Sequence, residues 1–191
     1  MIYDQSGSQL NLFAKDKTDL SVFGWQMPSV WLQSANPFFI MVFAPVFAGL
    51  WQRLGPRQPR TAVKCGIALV VIGLSFFVMS FAGRLATPTH KVSILWLGSA
   101  YPLRTIAELC LSPVGLSVTT KLAAARFAGQ MLGLRFLATA VGNALNVYVT
   151  KLSTSMSDFS YYLSQGIVAV GIGVLIFLGT KKINQLMGDV R

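Results

Sequence analysis

The run Ala107-Glu108-Leu109-Cys110-Leu111-Ser112-Pro113-Val114-Gly115-Leu116-Ser117 sets one carboxyl in the middle of an apolar stretch of membrane-spanning length. A charge at bilayer depth costs on the order of 2.5 to 3.5 kcal/mol on insertion scales, so such a residue faces a cavity, a proton path or a cationic partner. Glu108 is therefore the first candidate functional residue, and the stretch around it reads as one helix of a polytopic membrane protein.

The rest of the chain agrees. Of its residues 53% are hydrophobic and only 12% are charged, and the apolar residues fall into blocks along the whole length. A spanning helix needs about 20 mostly apolar residues. Five blocks meet this and predict helices over residues 29–54, 63–82, 92–122, 127–152 and 161–180. Residues 2–14 are too short and too polar to span. They are not a signal peptide either, because Asp4 replaces the basic start and no cleavage site follows an apolar core. They read as the tail of a helix that begins upstream. The breaks at 16–28, 55–60, 83–91, 123–126 and 153–160 are rich in Gly, Pro, Ser or charge, as connecting loops are. The expected organisation is one transmembrane helical bundle over residues 1–191, with no soluble domain.

Charge sets the orientation and excludes other classes. The net charge is +10, yet the basic residues stand singly at block ends with no aromatic-interleaved patch, so no nucleic-acid partner is expected. Arg53, Arg57, Arg60, Lys64, Lys121, Arg126, Lys181, Lys182 and Arg191 flank one side, against Lys15, Lys17, Arg84, Lys91 and Lys151 on the other. The first group is placed in the cytoplasm, together with the C-terminus. Asp16, Asp19, Asp158 and the lone His90 then face outward, His90 as a solvated imidazole after Pro88. Cys65 and Cys110 sit in separate apolar blocks without ligand spacing, which supports neither a metal site nor a disulfide framework. No nucleophile with a nearby base, metal-ligand cluster or phosphate loop is present, so no enzyme is expected. Short loops throughout suit a bacterial inner membrane.

Helical spacing collects the polar residues onto faces. From Glu108, steps of four and seven reach Arg104, Ser112 and Gly115, with Tyr101 and Thr119 beyond them. Pro113 removes a backbone donor and is expected to bend or locally unwind this helix. The next block repeats the pattern with Arg135, Thr139, Gly142, Asn143, Asn146 and Thr150 on one side, and Leu134, Leu137, Val141 and Leu145 as apolar surface. Gln33 and Asn36 pair beside Pro37, and amides of this kind also join helices by hydrogen bonds worth about 0.6 to 2 kcal/mol. Gly129 with Gly133, and Gly166, Gly171, Gly173 and Gly179, are expected to let helices approach closely.

The stretch AELCLSPVGLSVTTK, residues 107–121, resembles the helix-10 signature of the proton-dependent oligopeptide transporter (POT/PTR) family within the major facilitator superfamily. Tyr3-Asp4-Gln5-Ser6-Gly7-Ser8 is similar to the family's helix-7 acidic segment. Trp31-Leu32-Gln33-Ser34-Ala35-Asn36-Pro37 with Phe43-Ala44-Pro45-Val46-Phe47-Ala48 resembles its helix 8, and residues 133–143 its helix 11. The resemblance runs in order along essentially the whole chain. It implies an all-α fold, the C-terminal half of a major-facilitator bundle with helices 7 to 12 and helix 7 truncated. It implies that Glu108 receives a peptide's amino terminus, that Asn36 contacts the same end, and that Asp4 serves proton coupling and the outer gate. Ser112 would line the pocket. The proton is the implied coupling ion, short peptides and the lipid bilayer the partners, and no other cofactor is expected.

Two residues depart from the family pattern. Arg135 stands where the family usually carries a pocket tryptophan, replacing an aromatic wall with a fixed positive charge. Arg104, one turn before Glu108, offers an internal ion-pair partner that would compete with a substrate amine. The family's first six helices, with the ExxERFxYY motif and the basic residues that hold the peptide carboxylate, are not in this sequence. Alternating access needs one half to rock against the other, so transport is expected to require an N-terminal half. The other reading is a non-transporting membrane module whose Arg104, Glu108 and Arg135 pair among themselves.

Overall fold

The computed structural model describes residues 9–19, 21–22, 25–28, 30–55, 58–59, 61–86, 91–122, 127–153 and 156–187. Six helices follow one another: α1 (Gln9–Lys17), α2 (Val30–Leu54), α3 (Thr61–Leu85), α4 (Ile94–Leu122), α5 (Ala128–Ser153) and α6 (Asp158–Met187). The five long ones coincide with the five apolar blocks, and the all-α bundle is what the sequence predicts. The boundaries differ mainly at α6, whose helix runs seven residues past the apolar block through the polar stretch after Thr180. Apolarity marks the membrane-depth part of a helix, not its hydrogen-bonded end.

Among the described residues, α2, α3, α5 and α6 are each both long and apolar enough to cross a membrane. The sequence reading expected five such spans. The fifth helix, α4, has the length at 29 residues, but its polar stripe dilutes its apolar character. The unwinding expected at Pro113 is also absent, since helix α4 continues through that position to Leu122. Prolines 37 and 45 likewise lie inside α2. Gly55 follows α2 at φ +45°, the left-handed conformation that ends a helix without Cβ strain.

The tightest packing joins α3 to α6. Gly66, Gly73 and Ser80 fall seven apart on α3, two helical turns per step, and meet Gly173, Gly166 and Phe159, which fall seven apart in the opposite direction on α6. A Cβ on Gly73 would lie 2.5 Å from Val170 Cγ2 and 3.2 Å from the Gly166 carbonyl, and one on Gly166 would lie 3.2 Å from the Gly73 carbonyl. A Cβ on Gly173 would be 3.2 Å from the Gly66 carbonyl. At the third step the Ser80 hydroxyl donates to the Phe159 carbonyl at 3.0 Å. Small residues that let backbones touch gain dispersion contacts that lipid tails do not replace.

The expectation for Gly166 and Gly173 therefore holds, whereas at Gly129, Gly133 and Gly171 no close approach is made by the described residues. Nothing in the described chain comes within 4 Å of a Cβ at those three positions. Spacing alone marks a smooth helix face without saying whether another helix lies on it.

On the side of the bundle where α1 ends and α4 begins, short pairings tie the loops down. β1 (Thr18–Asp19) runs parallel to β4 (Val92–Ser93), and β2 (Ser21–Val22) pairs antiparallel with β3 (Trp25–Gln26). Two-residue strands carry no period, so the sequence gives no warning of them. Lys17 and Asp158 form an ion pair that joins the end of α1 to the start of α6. Leu10, Phe13 and Ala14 of α1 are buried in the common core with Phe76, Met79, Leu97, Tyr101 and Tyr162.

Candidate functional site

Glu108 stands at the midpoint of α4, partly buried, and faces α2. Asn36, in the second turn of α2, donates from Nδ2 to Glu108 Oε2 at 3.3 Å. The same amide accepts at Oδ1 from the hydroxyl of Thr105, at 2.8 Å. The Thr105 hydroxyl also lies 3.0 Å from the carbonyl of Tyr101, the acceptor four residues earlier on its own helix. Three side chains on two helices thus form one chain of contacts that ends on the carboxyl. The sequence reading placed Asn36 and Glu108 at one site, and the geometry joins them. Thr105 was missed because it falls beside the polar stripe counted from Glu108; the partner helix, not the stripe, makes it part of the site.

Arg104 is 2% exposed and takes a different direction from Glu108. Its guanidinium lies over the Phe76 ring, 5.2 Å from the centroid, and Phe76 in turn stacks on Tyr162 at 6.4 Å. Tyr162 is enclosed further by edge-on contacts with Phe13 at 5.9 Å and Tyr161 at 5.4 Å. The cause is helical geometry: long side chains lean toward their helix's N-terminus, so Arg104 reaches back to the level of Tyr101 and away from residue 108. A guanidinium over aromatic faces gains a cation–π contact that is stronger when desolvated. The internal pairing of Arg104 with Glu108, expected as one option, is not the arrangement found. Among the described residues the ion pair is Lys17 with Asp158, and the partner of Glu108 is Asn36.

On α5, the residues that are least exposed are Leu132, Arg135, Gly142, Asn146, Val149 and Thr150. Their spacing is that of one helix face, and it is the polar stripe read from the sequence, with Thr139 and Asn143 more exposed at its margin. Leu134 and Leu137 point outward at 57% and 60% exposure, with Val141 and Leu145 beside them. Polar in and apolar out is the arrangement of a helix whose surroundings are lipid. Arg135 Nη1 is buried and has no hydrogen-bond partner among the described residues. Asp4 and His90 lie outside the described residues, as do the side chains of Gln33 and Ser112.

A lipid-suited bundle with a carboxyl and its amide partner at the centre of one helix defines a multi-pass membrane protein with an internal polar site. The chain belongs to the POT family, whose family model, PTR2, matches residues 1–175. It is 40% identical over 189 residues to the uncharacterized transporter YclF of Bacillus subtilis (strain 168), covering 99% of this chain and 38% of that protein. It is 34% identical over 194 residues to a di-/tripeptide transporter of Lactococcus lactis subsp. cremoris, covering 100% of this chain and 39% of that protein. Among solved structures, it is similar to a mutant of a peptide transporter POT crystallised with alafosfalin, at TM-score 0.91 and 38% identity over 97% of this chain and 38% of that one. A POT family transporter in complex with 5-aminolevulinic acid superposes at TM-score 0.88 with 33% identity, over 95% of this chain and 38% of that one. The chain thus spans about two fifths of the length of the relatives it matches.

Proposed function

We propose that this chain is the C-terminal half of a proton-coupled di- or tripeptide symporter in a bacterial inner membrane, with its C-terminus cytoplasmic. In this reading Glu108 exchanges a proton for the peptide's ammonium, and Asn36 holds the same end of the cargo. Ser112 lines the pocket, and Asp4 couples proton movement to the outer gate. Arg135 offers its guanidinium to an anionic group of the cargo. The proton is the coupling ion, and no metal or organic cofactor takes part. The N-terminal six-helix half is supplied by the rest of a longer protein or by a second chain, because rocking of two halves about a central site is what alternating access requires.

The observation that supports this best is the Asn36–Glu108 contact of 3.3 Å at the centre of α4. The carboxyl is only partly buried and is engaged by a neutral amide, which leaves it able to accept either a proton or an ammonium. An arginine in the same place would have filled the site with a permanent cation.

The test is reconstitution in proteoliposomes with and without a family N-terminal half, measuring labelled dipeptide uptake across an imposed proton gradient. Uptake is expected with both halves present and not with this chain alone. Absence of uptake with both halves folded and inserted would overturn the reading.

A further inference from the structure

We propose that the turn between α2 and α3 binds the headgroup of an anionic phospholipid, with Arg53 and Lys64 holding its phosphate. Residues 53–64 carry Arg53, Arg57, Arg60 and Lys64 and no acidic residue, and neither α2 nor α3 contains an Asp or Glu. Basic segments of this kind beside a spanning helix are attracted to leaflets that contain anionic lipid.

The turn is built as well as charged. Gly55 ends α2 at φ +45°, and the Gln58 N–H donates to the Gly55 carbonyl at 3.3 Å. The Gln58 side chain then bridges the two helices. Its Nε2 donates to the carbonyl of Trp51, one of the last four of α2, which a helix end leaves to other donors. Its Oε1 accepts from Lys64 Nζ at 3.1 Å, and the same ammonium lies 4.3 Å from the centroid of the Trp51 ring. Lys64 is thus held in place by an amide and an aromatic face. Both are neutral, so the charge stays available, and of the three ammonium donors the amide takes one.

The acidic residues lie elsewhere. Asp158 sits beside Gly83, at the far end of α3 and roughly 30 Å from Lys64 by helical rise. Asp16 and Asp19 are at the end of α1, which Lys17 ties to Asp158, and Glu108 is engaged by Asn36. Asp189 is outside the described residues, in a stretch that also carries Lys181, Lys182 and Arg191.

A lipid fits this turn better than a free phosphate because an apolar ridge leads to the charges. Phe38, Val42, Val46 and Leu50 follow at steps of four along α2, all exposed. Arg53, also exposed, stands seven residues past Val46 on the same face, where the ridge ends. Head and tail of one amphiphile are therefore matched side by side. Lipid binding here requires only that the bundle sits in a membrane; no part of it depends on what Glu108 does.

The experiment reconstitutes the purified full chain in phosphatidylcholine vesicles containing phosphatidylglycerol as a minor component, with one lipid or the other brominated on its acyl chains, and reads tryptophan fluorescence. Trp25, Trp31 and Trp96 belong to the other end of the bundle, near the starts of α2 and α4, so the quenching that Trp51→Phe removes reports on lipid at this turn. Phosphatidylglycerol is expected there at about fivefold or more above its share of the bilayer, which is what one basic side chain contributes at an anionic surface. Arg53→Gln with Lys64→Gln is expected to return it to that share. Lys15→Gln with Lys91→Gln, exposed lysines at the other end, should leave the enrichment in place. If the double variant at the turn loses its helical circular dichroism, Arg53→Gln alone is expected to lower the enrichment.

Equal quenching by the two lipids overturns the proposal, as does enrichment that survives loss of the charges at the turn. An equal fall in the Lys15 and Lys91 variant overturns it too, since that is attraction to net charge alone. Enrichment abolished by inorganic phosphate but not by chloride at equal ionic strength would make the ligand a soluble anion. Enrichment abolished by adding a family N-terminal half would make this face a contact between halves. Either result also overturns the proposal.

Discussion

Between α3 and α6 the backbones come close at Gly66, Gly73, Gly166 and Gly173, with Phe177, Val170, Phe77 and Val70 packed against the glycines. Between α4 and α2 the contact is made instead by Thr105, Asn36 and Glu108, through polar atoms 2.8 and 3.3 Å apart. The first junction leaves no room for an added atom, because a Cβ at any of these four glycines would lie within 3.2 Å of an atom of the facing helix. The second is made by rotatable polar side chains and ends on a titratable carboxyl. A carrier needs both: a pair of helices that moves as one body, and a contact whose state depends on what is bound. In this chain the two junctions are linked through α3, which packs against both α6 and α4.

The sharpest way to break this contrast is to enlarge a seam glycine. Gly73→Ala places a methyl 2.5 Å from Val170 Cγ2 and 3.2 Å from a backbone carbonyl, and is expected to cost about 1 to 3 kcal/mol through overpacking. Thermal unfolding in nanodiscs reads the loss. Gly133→Ala on α5 is the matched control: nothing among the described residues lies within 4 Å, so stability should stay level or rise by up to about 1 kcal/mol from helix propensity. Equal losses at the two positions would mean that the seam is not special.

A second test separates recognition from architecture. Arg135→Gln removes a guanidinium whose Nη1 has no partner among the described residues. The isolated chain should be no less stable, because a buried donor without a partner is a cost. With an N-terminal half present, uptake of a dipeptide with an acidic side chain should fall by about tenfold relative to a neutral one, the worth of one charge-assisted hydrogen bond. A uniform loss for both cargoes would argue that Arg135 supports the fold and does not select the ligand. The smallest effect is expected at the rim, where Lys17→Gln breaks the exposed pair with Asp158 and should change stability by less than about 1 kcal/mol, diminishing further with added salt.

The helices and their inward faces were legible because hydropathy and period report directly on depth and side. The α5 stripe is the clearest case: of Arg135, Thr139, Gly142, Asn143, Asn146 and Thr150, grouped by spacing alone, all but the exposed Thr139 and Asn143 are turned from the surface. Glu108 was legible as a charge inside an apolar span, but its link to Asn36 came through resemblance to a family, since the two lie 72 positions apart and no local pattern joins them. What escaped the sequence depends on which helix lies opposite. The Gly66–Gly173 and Gly73–Gly166 register needs α3 and α6 side by side, and Gly129 and Gly133 show that paired glycines also occur where nothing among the described residues comes within 4 Å. Thr105 and the Arg104–Phe76 contact belong to the same class, because each is decided by a neighbour on another element.

The account turns on Glu108 trading a proton for a positively charged cargo end, and one substitution addresses that alone. Glu108→Gln keeps the side chain's size and its contact with Asn36 but holds no exchangeable charge. In proteoliposomes containing this chain and a family N-terminal half, labelled dipeptide uptake driven by an imposed proton gradient is expected to be abolished by Glu108→Gln. Gradient-driven uptake at the parent rate in that variant would contradict the role given to the carboxyl.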